Sequence, residues 1–248
     1  MVTDTEPIIK YWLQIAGQIQ VELVEMKGMC TRLQINLDEV IFYRLSLEGR
    51  PDDLLMRGYD SWLNLCKRVD GAGTENRDKD FAAAERSMKR LMQEILLYFP
   101  RVLAYLKMGE FKSSAYDVHH CLAIIRYVLQ RPASASTLKF LQLAPIMHML
   151  YYLALSAMSL ERGHYRRALA YLRRGMQRIE ADHIRLGENA RFPGYGELVR
   201  MRVFKRLIIA AFRRRKSGAR PHDLSAPADA WKTQPQVQIC HLLSSSWR

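Results

Sequence analysis

The sequence predicts an all-α protein made of antiparallel helical hairpins, either repeat-like or packed as an irregular bundle. Three observations carry this expectation. Apolar residues recur mostly at threes and fours along the chain. No alternating run is long enough to argue for a sheet, and "FYRLSL" alternates only weakly among neighbours that favour helix. The breaks between periodic stretches are short and carry Gly or Pro. Together they predict seven to nine helices.

Taken in order, "TDTEP" supplies N-cap candidates and puts Pro7 in a first turn. Ile8, Ile9, Trp12, Leu13, Ala16, Ile19, Leu23, Met26, Cys30 and Leu33 then predict one long amphipathic helix. A shorter helix is expected near 38–48, stopping at Gly49. "PDD" at 51–53 opens the next, with Leu54, Leu55, Tyr59, Trp62, Leu63 and Cys66 inward. "DGAGTENRDKD", 70–80, reads as an exposed loop. A helix over 81–108 follows, which Pro100 should kink or split near Tyr98–Phe99 and Gly109 should end. Helices over 110–131 and 136–161 come next, joined by "RPASAS", which also caps the second; Pro145 is a candidate bend. Gly163 precedes a helix over 164–185, and after "GENARFPGYG" a basic helix covers 196–216.

Beyond Gly218 three prolines and a serine run replace the helical period, so 218–248 is expected to be a poorly ordered tail. The expected organisation is an N-terminal helical unit over 1–69, the loop 70–80, and a repeat-like helical unit over 81–217.

Charge is unevenly placed. The formal net charge is +13, yet residues 161–220 carry 17 Lys/Arg against 5 Asp/Glu. This points to an anionic partner or to a solvated basic surface. Cys30, Cys66, Cys121 and Cys240 have neither zinc-ribbon nor disulfide-framework spacing, so reduced thiols in a cytoplasmic protein are expected. The N-terminus is acidic and lacks the pattern of a signal peptide. "FLQLAPIMHMLYYLALSAMSL", 140–160, has no Asp, Glu, Lys or Arg, but Gln142, Pro145, His148, Ser156 and Ser159 interrupt it; it reads as a buried core helix.

One hairpin stands out. Gly163 is suited to ending a helix at positive φ. Tyr165 can wedge between the two helices, Ala168 allows close approach, and Leu172 continues the face. With Tyr152, Leu155, Ser156 and Gly175, these residues resemble the tetratricopeptide-repeat hairpin, although its usual closing proline is absent. Gly109, Phe111, Ser114 and Val118 repeat the pattern, with Arg101 at the Leu position and Pro100 beside it. The copies lie 54 residues apart rather than the family's shorter period, and the resemblance covers 98–182. It implies a scaffold that binds another protein on a concave face, with no catalytic residues.

No catalytic motif is present. Asp117, His120 and Cys121 share a helical face and are metal-ligand types, but no further ligand is suggested by spacing. Glu161–His164 and Glu180–His183 have di-iron spacing, yet they fall about 28 Å apart along the helix axis at 1.5 Å per residue. No cofactor, metal or enzymatic activity is therefore expected.

The expected function is a protein–protein interaction scaffold or adaptor with a basic binding surface over 164–216. Its candidate partner-binding residues are Arg166, Arg167, Arg173 and Arg174 on one helix, and Arg202, Lys205, Arg206, Arg213, Arg214, Arg215 and Lys216 on the next. Arg178 extends the first stripe. The partner expected is another protein, one of acidic character. The alternative is non-specific nucleic-acid binding on the same surface. A peripheral membrane contact through Phe204 and Phe212 is the remaining reading.

Overall fold

The computed structural model describes residues 18–25, 31–37, 40–55, 58–71, 81–132, 134–187 and 196–216. The described chain is mostly helical, with one small sheet. Strands β1 (Gln20–Val24), β2 (Arg32–Leu37) and β3 (Val40–Ser46) come first. Helices α1 (Trp62–Gly71), α2 (Phe81–Met108), α3 (Phe111–Leu129), α4 (Ala135–Glu161), α5 (Tyr165–Leu186) and α6 (Gly196–Lys216) follow. The tail at 218–248 and positions 72–80 of the expected loop lie outside the described residues.

The sheet corrects the sequence reading. Within the helices expected over 8–33 and 38–48, residues 20–24, 32–37 and 40–46 instead form an antiparallel β1-β2-β3 meander, while 8–17, 26–30 and 38–39 lie outside the described residues. A single helix from Ile8 to Leu33 would run through Gly17 and Gly28, each about 1 kcal/mol worse than Ala in a helix interior. The strand period places Leu33 opposite both Leu23 and Leu45, and Ile35 opposite Val21 and Tyr43. Those cross-strand pairs line one side, and Leu33, Ile35 and Leu45 join the same hydrophobic core as the helices.

The third expected helix also starts later. Asp53 takes a positive φ of 55°, which a helix does not accept. Helix α1 begins at Trp62 instead, where the Ser61 hydroxyl accepts the Asn64 N–H at 3.1 Å. From α2 onward the expected and observed bounds agree within a residue or two. Pro100 sits inside a continuous α2 rather than splitting it. Ser134 caps α4 by accepting from the Thr137 N–H at 3.1 Å.

Helix α4 is the centre of the fold, packed between α3 and α5. It is long and apolar enough to cross a membrane by length and composition, but most of its apolar stretch is buried by its neighbours.

The turns that fold α3 back on α2 and α5 back on α4 are built alike. Gly109 and Gly163 take φ values of 83° and 71°. The Glu110 N–H donates to the Tyr105 carbonyl at 2.9 Å, and the His164 N–H to the Ser159 carbonyl at 2.8 Å. These are the six-to-one bonds of a glycine C-cap. Across the first hairpin the Ser114 hydroxyl donates to the Val102 carbonyl; across the second the Ser156 hydroxyl donates to the Ala168 carbonyl. The two bonds join equivalent places, with the hydroxyl on opposite partners.

One buried arginine joins sheet and helices. Arg101, 1% exposed, makes a two-pronged pair with Asp117 of α3 at 2.7 and 2.8 Å. Its remaining donors reach the Ser46 carbonyl at 2.7 Å and the Gly49 carbonyl at 2.8 Å. Next to it the Tyr105 hydroxyl donates to the Leu47 carbonyl at 2.6 Å. A second tether converges on Glu94, which is fully buried. Its carboxylate accepts from the Trp62 N–H at 2.6 Å and from Arg50 at 3.2 Å, and it pairs with His120 at 2.6 Å.

Breaking the first junction should be costly. Arg101→Met strands the buried Asp117 and two carbonyls, so urea unfolding should show a loss of about 3–5 kcal/mol. A loss below 1 kcal/mol would show that the junction is dispensable.

Burial also raises the Tyr105 phenol to about 12 and pushes Tyr98 and Tyr127 up from 10, against nearby arginine charges. Each phenol ionises less readily folded than unfolded. Their contribution is intact below the unfolded value and is lost as pH rises through the folded ones. Stability should therefore fall from pH 10 toward 12, and Tyr105→Phe should flatten that fall.

Candidate interaction surface

Helices α5 and α6 lie antiparallel. The Tyr165 ring is 5.6 Å from that of Phe212 at one end, Gly175 faces Met201 in the middle, and His183 Nε2 lies 3.7 Å from Glu197 Oε2 at the other. The contact at Gly175 is close. A Cβ there would come within 2.5 Å of Met201 Cε and 2.7 Å of Tyr152 Cβ, so only glycine lets α4, α5 and α6 meet. Leu198, Met201, Phe204 and Ile208 of α6 enter the common core.

This packing decides where the basic residues fall. Ala168, Leu172, Gly175, Ile179, Asp182 and Leu186 form the buried stripe of α5. Arg166, Arg167, Arg173, Arg174 and Arg178 are all exposed. On the 3.6-residue period Arg166 and Arg173 border the seam with α6, on the side away from α4. Arg202, Arg206 and Arg213 of α6 are exposed and border the same seam; Lys205 is half-buried between them. Arg167, Arg174 and Arg178 fall on the opposite margin of α5, beside α4. Of the eleven residues singled out from the sequence, the eight whose side chains are described thus divide into two faces. The side chains of Arg214, Arg215 and Lys216 lie outside the described residues.

Arg200, like Arg185, is a basic residue that the sequence reading left out of its two stripes. It is 2% exposed, on the inner side of α6 near Glu197, which is also buried. Burial lowers the Arg200 guanidinium to about 10, with the Glu197 charge opposing the shift. The only signal available was its position: Arg200 falls among Glu197, Met201 and Phe204 on the inward period of α6. Nearby, His148 Nδ1 of α4 pairs with Asp182 of α5 at 2.6 Å.

The sets tested for chemistry separate. Asp117 faces Arg101, His120 faces Glu94, and Cys121 points into the core, where burial raises its thiol well above the usual range. Of the two Glu–His pairs, Glu161, His164 and Glu180 are exposed, whereas the His183 side chain turns toward Glu197. Among the described residues no three His, Cys, Asp or Glu side chains are grouped to hold a metal. A shallow cleft of about 210 Å³ lies between α1, α2 and α3, lined by Trp62, Cys66, Arg90, Tyr127 and Arg131. Arg90 already lies over Trp62, at 4.2 Å, and Arg131 pairs with Asp70 at 2.7 Å. Cys66 and Cys121 are free thiols.

Comparison with family models, curated proteins and solved structures finds no match for this chain.

The Gly175 contact gives a direct test of the surface's support. Gly175→Ala forces Met201 and the Tyr152 stem apart, and overpacking of this kind costs roughly 1–3 kcal/mol, of which the better helix propensity of Ala returns about 1 kcal/mol. The loss should appear as a lower thermal midpoint. A raised midpoint, the helical gain of Ala without the clash, would mean that the close contact at Gly175 is absent.

Proposed function

We propose that this chain is a cytoplasmic protein–protein interaction scaffold built from helical hairpins, which docks an acidic partner protein on the α5–α6 face. The observation that carries the proposal is the convergence of Arg166, Arg173, Arg202, Arg206 and Arg213, all exposed, along one seam of two packed helices. Among the described residues Glu180 is the exposed acidic side chain on that margin of α5, so the face is strongly positive. Such a field steers an anionic partner and sets its orientation.

Two further features support a protein partner. Ile184 is 80% exposed and Val199 48% exposed, at the end of the seam where α5 stops and α6 starts. Apolar anchors beside a ring of arginines are what protein interfaces use. The hairpins also resemble tetratricopeptide hairpins, whose work is protein binding. The competing occupant of this same face is duplex nucleic acid, bound non-specifically through its phosphates.

Fluorescence anisotropy separates the two. A labelled acidic peptide with an aliphatic anchor and a labelled duplex would each be titrated with the full chain, at low and at physiological salt. The comparison protein carries Arg166→Gln, Arg173→Gln, Arg202→Gln, Arg206→Gln and Arg213→Gln. The expected result is tighter binding of the peptide, with a loss of at least about tenfold in the variant, since several charge contacts vanish together. Tighter binding of the duplex, lost in the same variant, would give the face to nucleic acid. Binding of neither ligand would remove the proposal.

A further inference from the structure

The other margin of α5 belongs to a different surface. Arg167, Arg174, Arg178 and Arg185 recur at intervals of seven, four and seven, which keeps them on one side of the helix. They are exposed and span about 27 Å at 1.5 Å per residue. Among the described residues none of the four makes an ion pair with a carboxylate. Arg167 turns instead to a ring: its Nε donates to the Tyr171 hydroxyl at 3.3 Å, and its guanidinium lies 5.7 Å from the ring centroid.

Tyr171 is one member of a series of rings that crosses three helices. Burial and the neighbouring Tyr152 and Tyr171 together raise the Tyr151 phenol of α4. The Tyr151 ring lies edge-on to Tyr152 at 5.4 Å, and His119 of α3 lies 6.1 Å beyond it. Tyr116, one turn before His119, is 75% exposed. The rings therefore run from α3 over α4 to α5, with Tyr116 and His119 open to solvent at one end and Tyr171 half-buried beside Arg167 at the other.

The antiparallel register sets the rows. Ser156 bonds across to Ala168, Tyr152 faces Gly175, and His148 pairs with Asp182. Tyr171 is then level with Leu155, and Arg174 with Tyr151. On the other side the His119–Tyr151 contact puts Tyr116 level with Leu155. Moving along the helices, the face presents Lys112 with Arg167, then Tyr116 with Tyr171, then His119 and Tyr151 with Arg174. Cations and rings alternate, and no acidic side chain interrupts them at these positions.

We propose that the α3–α4–α5 face binds single-stranded nucleic acid, the arginine row of α5 following the phosphates while unpaired bases stack on Tyr116, His119 and Tyr171. The arrangement supplies both halves of what a single strand requires: a track of positive charge, and ring faces open to stacking without regard to sequence. A duplex would satisfy the charges but keeps its base faces hidden. An acidic peptide would satisfy the charges but has no bases to set on the rings. The surface is distinct from the α5–α6 seam and does not depend on it.

The test uses the full chain with a labelled oligothymidylate, a duplex of equal length and an acidic peptide, all by anisotropy. Tyr116→Ala should weaken oligothymidylate binding roughly tenfold, and Tyr116→Phe should retain it, because stacking needs the ring and not the hydroxyl. The Arg174→Gln, Arg178→Gln double variant should weaken binding and reduce the slope of log affinity against log salt by about 1.4, two phosphates at about 0.7 each. Replacing Arg202, Arg206 and Arg213 by Gln should leave oligothymidylate binding intact. Thermal melts of each variant confirm that the fold is unchanged.

Three results would overturn the proposal. One is no oligothymidylate binding by the folded chain. Another is binding of duplex or acidic peptide as tight as that of the single strand. The third is loss of single-strand binding in the α6 variant while Tyr116→Ala keeps it.

Discussion

The structure hangs on Arg101. A guanidinium has five donors in a fixed plane and stays charged, so burying one is tolerable only where acceptors already wait on several sides. Here they come from three parts of the chain: the Asp117 carboxylate on α3, the Ser46 carbonyl at the end of β3, and the Gly49 carbonyl in the following turn. The requirement works in both directions. The sheet can close over the helices because its final carbonyls are satisfied there, and Asp117 can stay buried because its partner is bidentate. Glu94 repeats the logic with opposite sign, one buried carboxylate collecting the Trp62 N–H, Arg50 and His120. Together these two residues of α2 place the segment from Ser46 to Trp62 against the bundle.

From that junction outward the helices follow by packing. Helix α2 positions α3 through the Gly109 turn, α3 flanks α4, and the Gly163 turn brings α5 back along α4. The order matters for the surfaces. Exposed arginines on an isolated α5 would be a diffuse cloud of charge. Once the buried stripe from Ala168 to Leu186 is seated on α4, each remaining side chain has one direction to point. Gly175 then lets α6 approach closely enough for its arginines to meet those of α5.

How much of this the sequence revealed depends on what kind of signal each part leaves. The helices from 81 onward were legible because their periods are long and their ends are marked chemically: Gly109 and Gly163 at positive φ, Ser134 as a hydroxyl cap. The first third was misread because Ile19, Leu23 and Leu33 suit a helical spacing as well as alternate positions in short strands. Gly17 and Gly28 carried the contrary information, and so did the alternation in "RLQINL". Arg101 stands at a leucine position of the hairpin pattern, and its buried role leaves no mark there. Its role depends on Asp117 sixteen residues away and on carbonyls more than fifty residues away, and no local pattern records such partners. The basic surface was legible as charge, but its division into two faces was not, because the division follows from which side of α5 receives α4 and which receives α6.

The placement of those charges along α5 bears on whether they serve the helix or something outside it. A helix favours cations near its C-terminus and anions near its start, each by a few tenths to about 1 kcal/mol. Arg185 near the end of α5 and Arg213 near the end of α6 fit that preference, so they have a structural motive. Arg166 and Arg167 do not. They occupy the first turn of α5, which holds no acidic residue and whose N-cap, His164, makes no side-chain capping bond. Arg174 and Arg178, four apart on one face, add a like-charge repulsion of some 0.2–0.5 kcal/mol. The helix bears these costs because its buried stripe holds it in place, so its own stability does not account for the arginines at its start. A partner that brings negative charge to that end of α5 would relieve the repulsion and complete the missing anion of the first turn. At the start of α5 Arg166 belongs to one face and Arg167 to the other, so such a partner would bear on both.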